Sequence, residues 1–277
     1  MRHRSGLSLI ESLITMIVIA VLMALLIPAL YKARDISRTA SCLSNLRQIG
    51  LCGLAYSNDN LGNIVPMGYW DNNTHGTVPY NMRDCFANTF VDYGYFLMPS
   101  VKLNDPITSR PSIFLCPLTR TDAFYPGGTS IPKSRTDNWS ASPARYYSTI
   151  SKTYLDVGYA TNALSTDIAG QPWTSTPCRK LPKDNTGAVN GTTPVYKFTS
   201  LNQIRTPASM VFMLDGTTSN FGNNPNRISA RHTNQSVTNI TFYDGHAASI
   251  KTNTIPTKWD LPTLANSPSQ LKWRLDQ

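Results

Sequence analysis

Met1–Arg34 reads MRHRSGLSLIESLITMIVIAVLMALLIPALYKAR, and the fold turns on it. A short basic leader with Arg2 and Arg4 ends at Gly6, and an apolar run follows that holds a single early carboxylate, Glu11. No charged residue occurs from Ser12 to Tyr31, which matches the roughly 20 residues an α-helix needs to cross a bilayer. A membrane span over residues 7–31 is expected. A carboxylate in such a segment is costly unless it finds a partner, so Glu11 reads as functional. A conventional secretory signal would have an apolar core of only about 7 to 15 residues. An ordinary single-pass anchor would need neither the glycine before the apolar run nor the glutamate after it.

The run Gly6-Leu7-Ser8-Leu9-Ile10-Glu11, following Arg2 and Arg4, resembles the type III signal of type IV pilins and type II secretion pseudopilins. The resemblance implies cleavage between Gly6 and Leu7 by a prepilin peptidase and methylation of the new amino terminus. Leu7 would then be the first residue of the mature chain and Glu11 the fifth. Leucine stands where the family most often has phenylalanine. In such filaments the glutamate neutralises the amine of a neighbouring subunit, which would explain a carboxylate surviving in lipid. The resemblance also places the amino terminus in the cytoplasm and the remainder in the periplasm, with partners in the peptidase, other pilin or pseudopilin subunits and inner-membrane lipid.

At 277 residues the chain allows this helix and one further globular domain. Loss of Met1–Gly6 would lower the formal charge from +9 to +7. The basic residues are scattered, so nothing points to a nucleic-acid partner. Lys32, Arg34 and Arg38 follow the span, where interfacial anchors belong. Five cysteines, Cys42, Cys52, Cys85, Cys116 and Cys178, would lie where disulfides are permitted. No C-x-x-C pair points to zinc. Cys42 and Cys52 would stand about 15 Å apart on one helix, too far to pair with each other.

Helical periodicity continues past the span through Ile36, Ala40, Leu43, Leu46, Gly50 and Leu54, which gives one helix from about Leu9 to Asn58. Pro28 predicts a kink or local melting near Ala24–Pro28. Beyond Asn58 the composition shifts to Asn, Gly, Pro, Ser, Thr and aromatics. Val195–Phe198, Met210–Leu214, Val237–Tyr243 and Ala247–Lys251 read as strands, and Gly76–Tyr80, Tyr125–Ser142 and Pro182–Thr193 as long loops. The organisation expected is a leader at 1–6, a transmembrane helix at 7–31, its continuation at 32–58 and a β-rich head at 59–277. The fold class is α+β, a long N-terminal helix packed on an antiparallel sheet with long loops.

Asp244-Gly245 between two extended runs signals a tight hairpin of type I′. Ile240 and Phe242 are expected to meet the helix, leaving Asn239, Thr241 and Tyr243 on the exposed face. Arg231-His232, the following strand and Asp244-Gly245 resemble the C-terminal signature of a pilin-like family abundant in planctomycetes, the prepilin-type processing-associated H-X9-DG domain. Eleven residues rather than nine separate His232 from Asp244, and two extra residues keep strand alternation in phase. Cys42-Leu-Ser-Asn-Leu-Arg-Gln-Ile-Gly50, Phe114-Leu-Cys116-Pro117, Gly158-Tyr159 with Asn162, and Ile204 to Gly216 agree with that family in their order.

His232, Asp244 and His246, with Gly245 in the turn between the last two, are the constellation in which metal binding or acid–base chemistry is conceivable. Asp215-Gly216 is placed on a neighbouring strand. The plainer reading is structural: Asp-Gly makes the turn, and His232 hydrogen-bonds a nearby carboxylate or carbonyl. No G-x-S-x-G, H-E-x-x-H or phosphate loop is present. The expectation is a filament subunit rather than an enzyme, with no cofactor. The alternative is a membrane-tethered protein that binds a surface polymer and does not polymerise.

Overall fold

The computed structural model describes residues 9–66, 68–70, 86–98, 102, 112–119, 144–147, 151, 153–162, 180–182, 199–216, 232, 233, 236–255, 271 and 272. Its elements in chain order are α1 (Leu9–Asp59), β1 (Gly68–Trp70), α2 (Phe86–Asp92), β2 (Ala144–Tyr147), β3 (Tyr154–Val157), β4 (Tyr159–Thr161), β5 (Lys180–Pro182), β6 (Val211–Asp215), β7 (Val237–Phe242) and β8 (Ala247–Lys251).

α1 contains 51 residues, about 77 Å at 1.5 Å per residue. It runs through Pro28 without interruption, so the expected local melting does not occur, although the ring still removes one backbone donor. Leu61 and Gly62 adopt positive φ angles of 58° and 79° and turn the chain away at the C-terminal end. The Gly62 N–H closes that end on the Ser57 carbonyl at 2.7 Å.

The two halves of α1 meet different surroundings. Leu9, Ile10, Leu13, Ile14 and the apolar residues that follow as far as Tyr31 are exposed. In the second half Cys42, Leu46, Ile49, Gly50, Tyr56 and Ser57 are buried. This stripe is rotated from the expected one: Ile36 is 69% exposed and Ala40 is exposed, while Thr39 and Cys42 turn inward to polar partners described below.

β4, β6, β7 and β8 form one antiparallel sheet in the order β4-β6-β7-β8. β2 pairs with β3 antiparallel, and β1 with β5 in parallel. The fold is therefore α+β, pilin-like, with the second half of α1 lying on β6, β7 and β8. Two glycines allow that approach. A Cβ on Gly53 would lie 2.7 Å from Cε1 of Phe212, and one on Gly50 would clash with Thr241. Phe86, Phe90, Phe96, Phe114 and Tyr56 pack edge to face beneath the end of the helix.

The sheet buries both faces, which corrects the expected orientation of β7. Ile240 and Phe242 point away from α1, into a second core with Ala160, Val211, Leu214, Ile255 and Leu271. Thr241 and Tyr243 are on the helix side. The reason is the C-terminal segment: Lys272 bonds the backbone of Ser209 and Val211, which seats Leu271 over the far face. Alternation alone could not tell which buried face meets the helix.

The β7–β8 turn also differs from type I′. The Gly245 N–H bonds the Phe242 carbonyl at 3.0 Å, and Phe242 N–H bonds the His246 carbonyl. Gly245 has a φ of 85°, whereas Asp244 is not in the left-handed region. This is a three-residue loop closed by a glycine, the next commonest hairpin after the two-residue turns. The bounds of β6, β7 and β8 otherwise follow the sequence reading to within one residue. Pro182, expected to open a long loop, instead ends β5, and Val195–Phe198, Gly76–Tyr80, Tyr125–Ser142 and residues 183–193 lie outside the described residues.

Candidate functional site

Four pieces of chain converge beneath the helix. Asp215 is the last residue of β6, where a register shift between Val211 and Met213 breaks strict alternation; Met213 belongs to the helix-side core and Asp215 reaches Cys42 on α1. Cys116 sits in a turned segment pinned by Phe114, whose carbonyl accepts the Gly158 N–H at 2.8 Å and whose ring is fully buried. The Asn45 side chain of α1 donates to the Leu115 carbonyl at 3.2 Å and ties that segment to the helix. His232 bridges Val237 just ahead of β7, and Thr233 turns the chain with a φ of 49°.

These four side chains form a compact buried group. Cys42, Asp215 and His232 are 0% exposed and Cys116 is 2% exposed. One donor atom from each lies within 4.8 Å of all the others. The Cys42 thiol donates to Oδ1 of Asp215 at 3.1 Å. Nε2 of His232 lies 3.0 Å from Oδ2 of Asp215 and 3.5 Å from Sγ of Cys116.

An outer ring of hydrogen bonds orients each member. The Thr39 hydroxyl donates to the Asp35 carbonyl at 2.8 Å, so its oxygen accepts Nδ1–H of His232 at 3.0 Å. That assignment leaves Nε2 facing the sulfurs and the carboxylate. The Asn239 N–H donates to Oδ2 of Asp215 at 2.9 Å. The Tyr159 hydroxyl donates to Sγ of Cys42, and the Leu118 N–H to Sγ of Cys116, both at 3.4 Å.

Burial governs the proton affinities. It pushes the Cys42 thiol well up, and the hydrogen bond with Cys116 and the charge of Asp215 push it further. Burial raises the Tyr159 hydroxyl in the same way, helped by the charges of Cys42 and Asp215. For His232 burial acts downward, but the hydrogen bonds to Asp215 and Cys116 prevail and lift it to about 9. Two thiols, an imidazole and a carboxylate thus share one enclosed volume in which negative charge is disfavoured and a cation is favoured.

The residues singled out in the sequence are distributed as follows. Gly6 and Leu7 lie outside the described residues. Glu11 is in the first turn of α1 and exposed. His232 does not join Asp244 and His246: among the described residues the group of metal-binding type contains His232 with Cys42, Cys116 and Asp215. Asp244 and His246 pair with each other on the exposed hairpin, Nδ1 to Oδ1 at 2.6 Å, and the imidazole stacks on Phe242 at 4.2 Å between ring centres. Gly245 closes the turn. Cys42, Cys116 and Asp215 lie in separate parts of the chain, and only the fold brings them together.

Residues 1–27 match the family described as the prokaryotic N-terminal methylation motif. No curated protein and no solved structure matches this sequence. Among the described residues α1 is the one helix long and apolar enough to cross a membrane, and none of its most apolar window is buried. The motif and the helix together support a type IV pilin-like precursor.

Proposed function

We propose that the chain is a structural subunit of a filament of the type IV pilus or type II secretion pseudopilus kind. A prepilin peptidase cuts between Gly6 and Leu7, Leu7 is N-methylated, and the head is delivered to the periplasmic side of the inner membrane. The observation that carries this reading is the methylation motif over residues 1–27 on a helix whose first half presents apolar side chains outward and whose second half is the spine of the head. Lipid covers the outward half before assembly, and the helices of neighbouring subunits cover it afterwards. Glu11 pairs with the methylated amine of a neighbour and fixes its register, a role that buried ion pairs serve better than net stability. The head is of the H-X9-DG type, with His232 at the entry to β7 and Asp244-Gly245 in the turn that leaves it.

Intact mass and N-terminal fragmentation of the protein extracted from its native membrane test this. A chain beginning at N-methyl-Leu7, recovered in sedimentable filaments, is the expected result. The same processed chain found only as dispersed membrane protein would favour a tethered surface-binding role. A chain beginning at Met1 would remove the filament reading and leave an ordinary anchored protein whose function lies in the head.

A further inference from the structure

We propose that Cys42, Cys116, Asp215 and His232 are the ligands of a structural zinc ion that fastens the long helix to the head. The donor set is the first argument. Two thiolates and an imidazole exclude the hard cations, calcium and magnesium, which take oxygen ligands. With one carboxylate they supply the four ligands that structural zinc takes, Asp215 standing where the Cys2His2 set has its second histidine.

Geometry is the second argument. A tetrahedral ion with bonds of about 2.0 to 2.3 Å holds its ligand atoms about 3.3 to 3.8 Å apart. The Cys116 to His232 separation of 3.5 Å is within that range. Asp215 offers Oδ2 to His232 at 3.0 Å and Oδ1 to Cys42 at 3.1 Å, and one ligand atom from each residue lies within 4.8 Å of all the others, so the group closes on an ion with shifts of at most about 1 Å.

The outer shell is the third. Thr39 holds Nδ1–H of His232, which leaves Nε2 for the metal. Asp215, Cys42 and Cys116 each receive an outer donor, from Asn239, Tyr159 and Leu118. Second-shell bonds of this type orient ligands and tune their basicity at metal sites.

The contacts seen within the group are those that protons make in place of the ion. Binding forms two Zn–S bonds, one Zn–N bond and one Zn–O bond. It displaces the thiol protons of Cys42 and Cys116 and any proton on Nε2 of His232, with no change of oxidation state. Because the ligands come from α1, from the segment around Cys116 and from both ends of the β6–β7 connection, one ion would clamp the four-stranded sheet and the Cys116 segment to the helix.

The test uses the full-length protein extracted in detergent and purified without chelator. Elemental analysis should find about one zinc ion per chain. After chelation, added Co2+ should give thiolate charge-transfer bands and the visible spectrum of a tetrahedral ion. Cys42 and Cys116 should resist alkylation until the chelator is added. Asp215→Asn keeps an acceptor for the Asn239 N–H, so it should fold while its zinc affinity falls at least tenfold. Four results would overturn the assignment: a Cys42–Cys116 disulfide in the native protein, copper or iron in place of zinc, a wild-type protein that takes up no Co2+, or an Asp215→Asn variant that binds zinc as tightly as the parent.

Discussion

Gly50 of α1 lies so close to Thr241 of β7 that a Cβ built on the glycine would stand 2.6 Å from Oγ1 of the threonine. The same Cβ would be 3.3 Å from the Cα of Gly245, so helix and hairpin are in backbone-level contact. Thr241 cannot swing aside freely, because its hydroxyl donates to the His246 carbonyl at 3.0 Å.

This contact predicts the response to added volume at Gly50. Alanine gains up to about 1 kcal/mol of helix propensity and loses about 1 to 3 kcal/mol to overpacking, so Gly50→Ala should be mildly destabilising. Gly50→Val has less propensity to recover and more bulk, and should cost about 3 kcal/mol or more. Thermal unfolding of the detergent-solubilised protein reads both. Adding Thr241→Ala should return part of the loss, a coupling that a double-mutant cycle measures. An unchanged midpoint for Gly50→Val would mean that the helix does not seat on β7 here.

The hairpin makes a second, ordered prediction. Gly245 combines a φ of 85° with a Cβ position 3.0 Å from Leu54 Cδ1 and 3.2 Å from Leu51 Cδ2. Gly245→Ala therefore meets both the left-handed penalty of about 1 to 2 kcal/mol and contact with the helix. Asp244→Ala removes an acceptor shared by the backbone and ring of His246 at an exposed turn, where such contacts contribute little. The glycine substitution should lower the unfolding midpoint more than the aspartate one. The reverse order would show that the turn is held by the Asp244–His246 pair rather than by backbone geometry.

What was legible in the sequence follows from which forces act locally. The helix was readable from Leu9 to its end within one residue, because an apolar run and a 3.6-residue period are local signals. β7 and β8 were readable from β-branched residues around Asp-Gly. The face of the helix that packs was misread at Ile36 and Ala40, because Thr39 and Cys42 are buried by polar contacts that a hydrophobic pattern does not record. The candidate site was half visible for the same reason. His232 stood out as a chemistry-bearing residue, but its partners are chosen by sheet order, which puts the end of β6 beside the start of β7 and under α1. Asp244 and His246 are neighbours in sequence as well as in space, whereas Cys42 and Cys116, far apart in sequence, meet only in the fold.

Chelation should separate a metal-fastened head from one held by packing alone. Free zinc at a hundredfold excess over its dissociation constant would add about 2.7 kcal/mol to the stability of the folded chain. Removing the metal should lower the unfolding midpoint and readmitting zinc should restore it, with no such response in Asp215→Asn. A midpoint indifferent to chelator in a protein shown to contain zinc would place the ion elsewhere.

Glu11 provides the sharpest test of the proposed filament. Replacing it by alanine makes the apolar segment more apolar, so insertion into the bilayer should be preserved or improved. Processing should also persist, since the cut lies between Gly6 and Leu7, and the intact mass of the variant reports this directly. Assembly is the step expected to fail, because the methylated amine of Leu7 would enter the helix bundle without a counter-charge, and an uncompensated buried charge costs several kcal/mol. Glu11→Gln separates charge from size: it keeps the side-chain length and should fail in the same way. If either variant, processed normally, enters sedimentable filaments at the parental yield, the pairing of Glu11 with the amine is not what sets register, and the packing of the outward apolar face would have to do so alone.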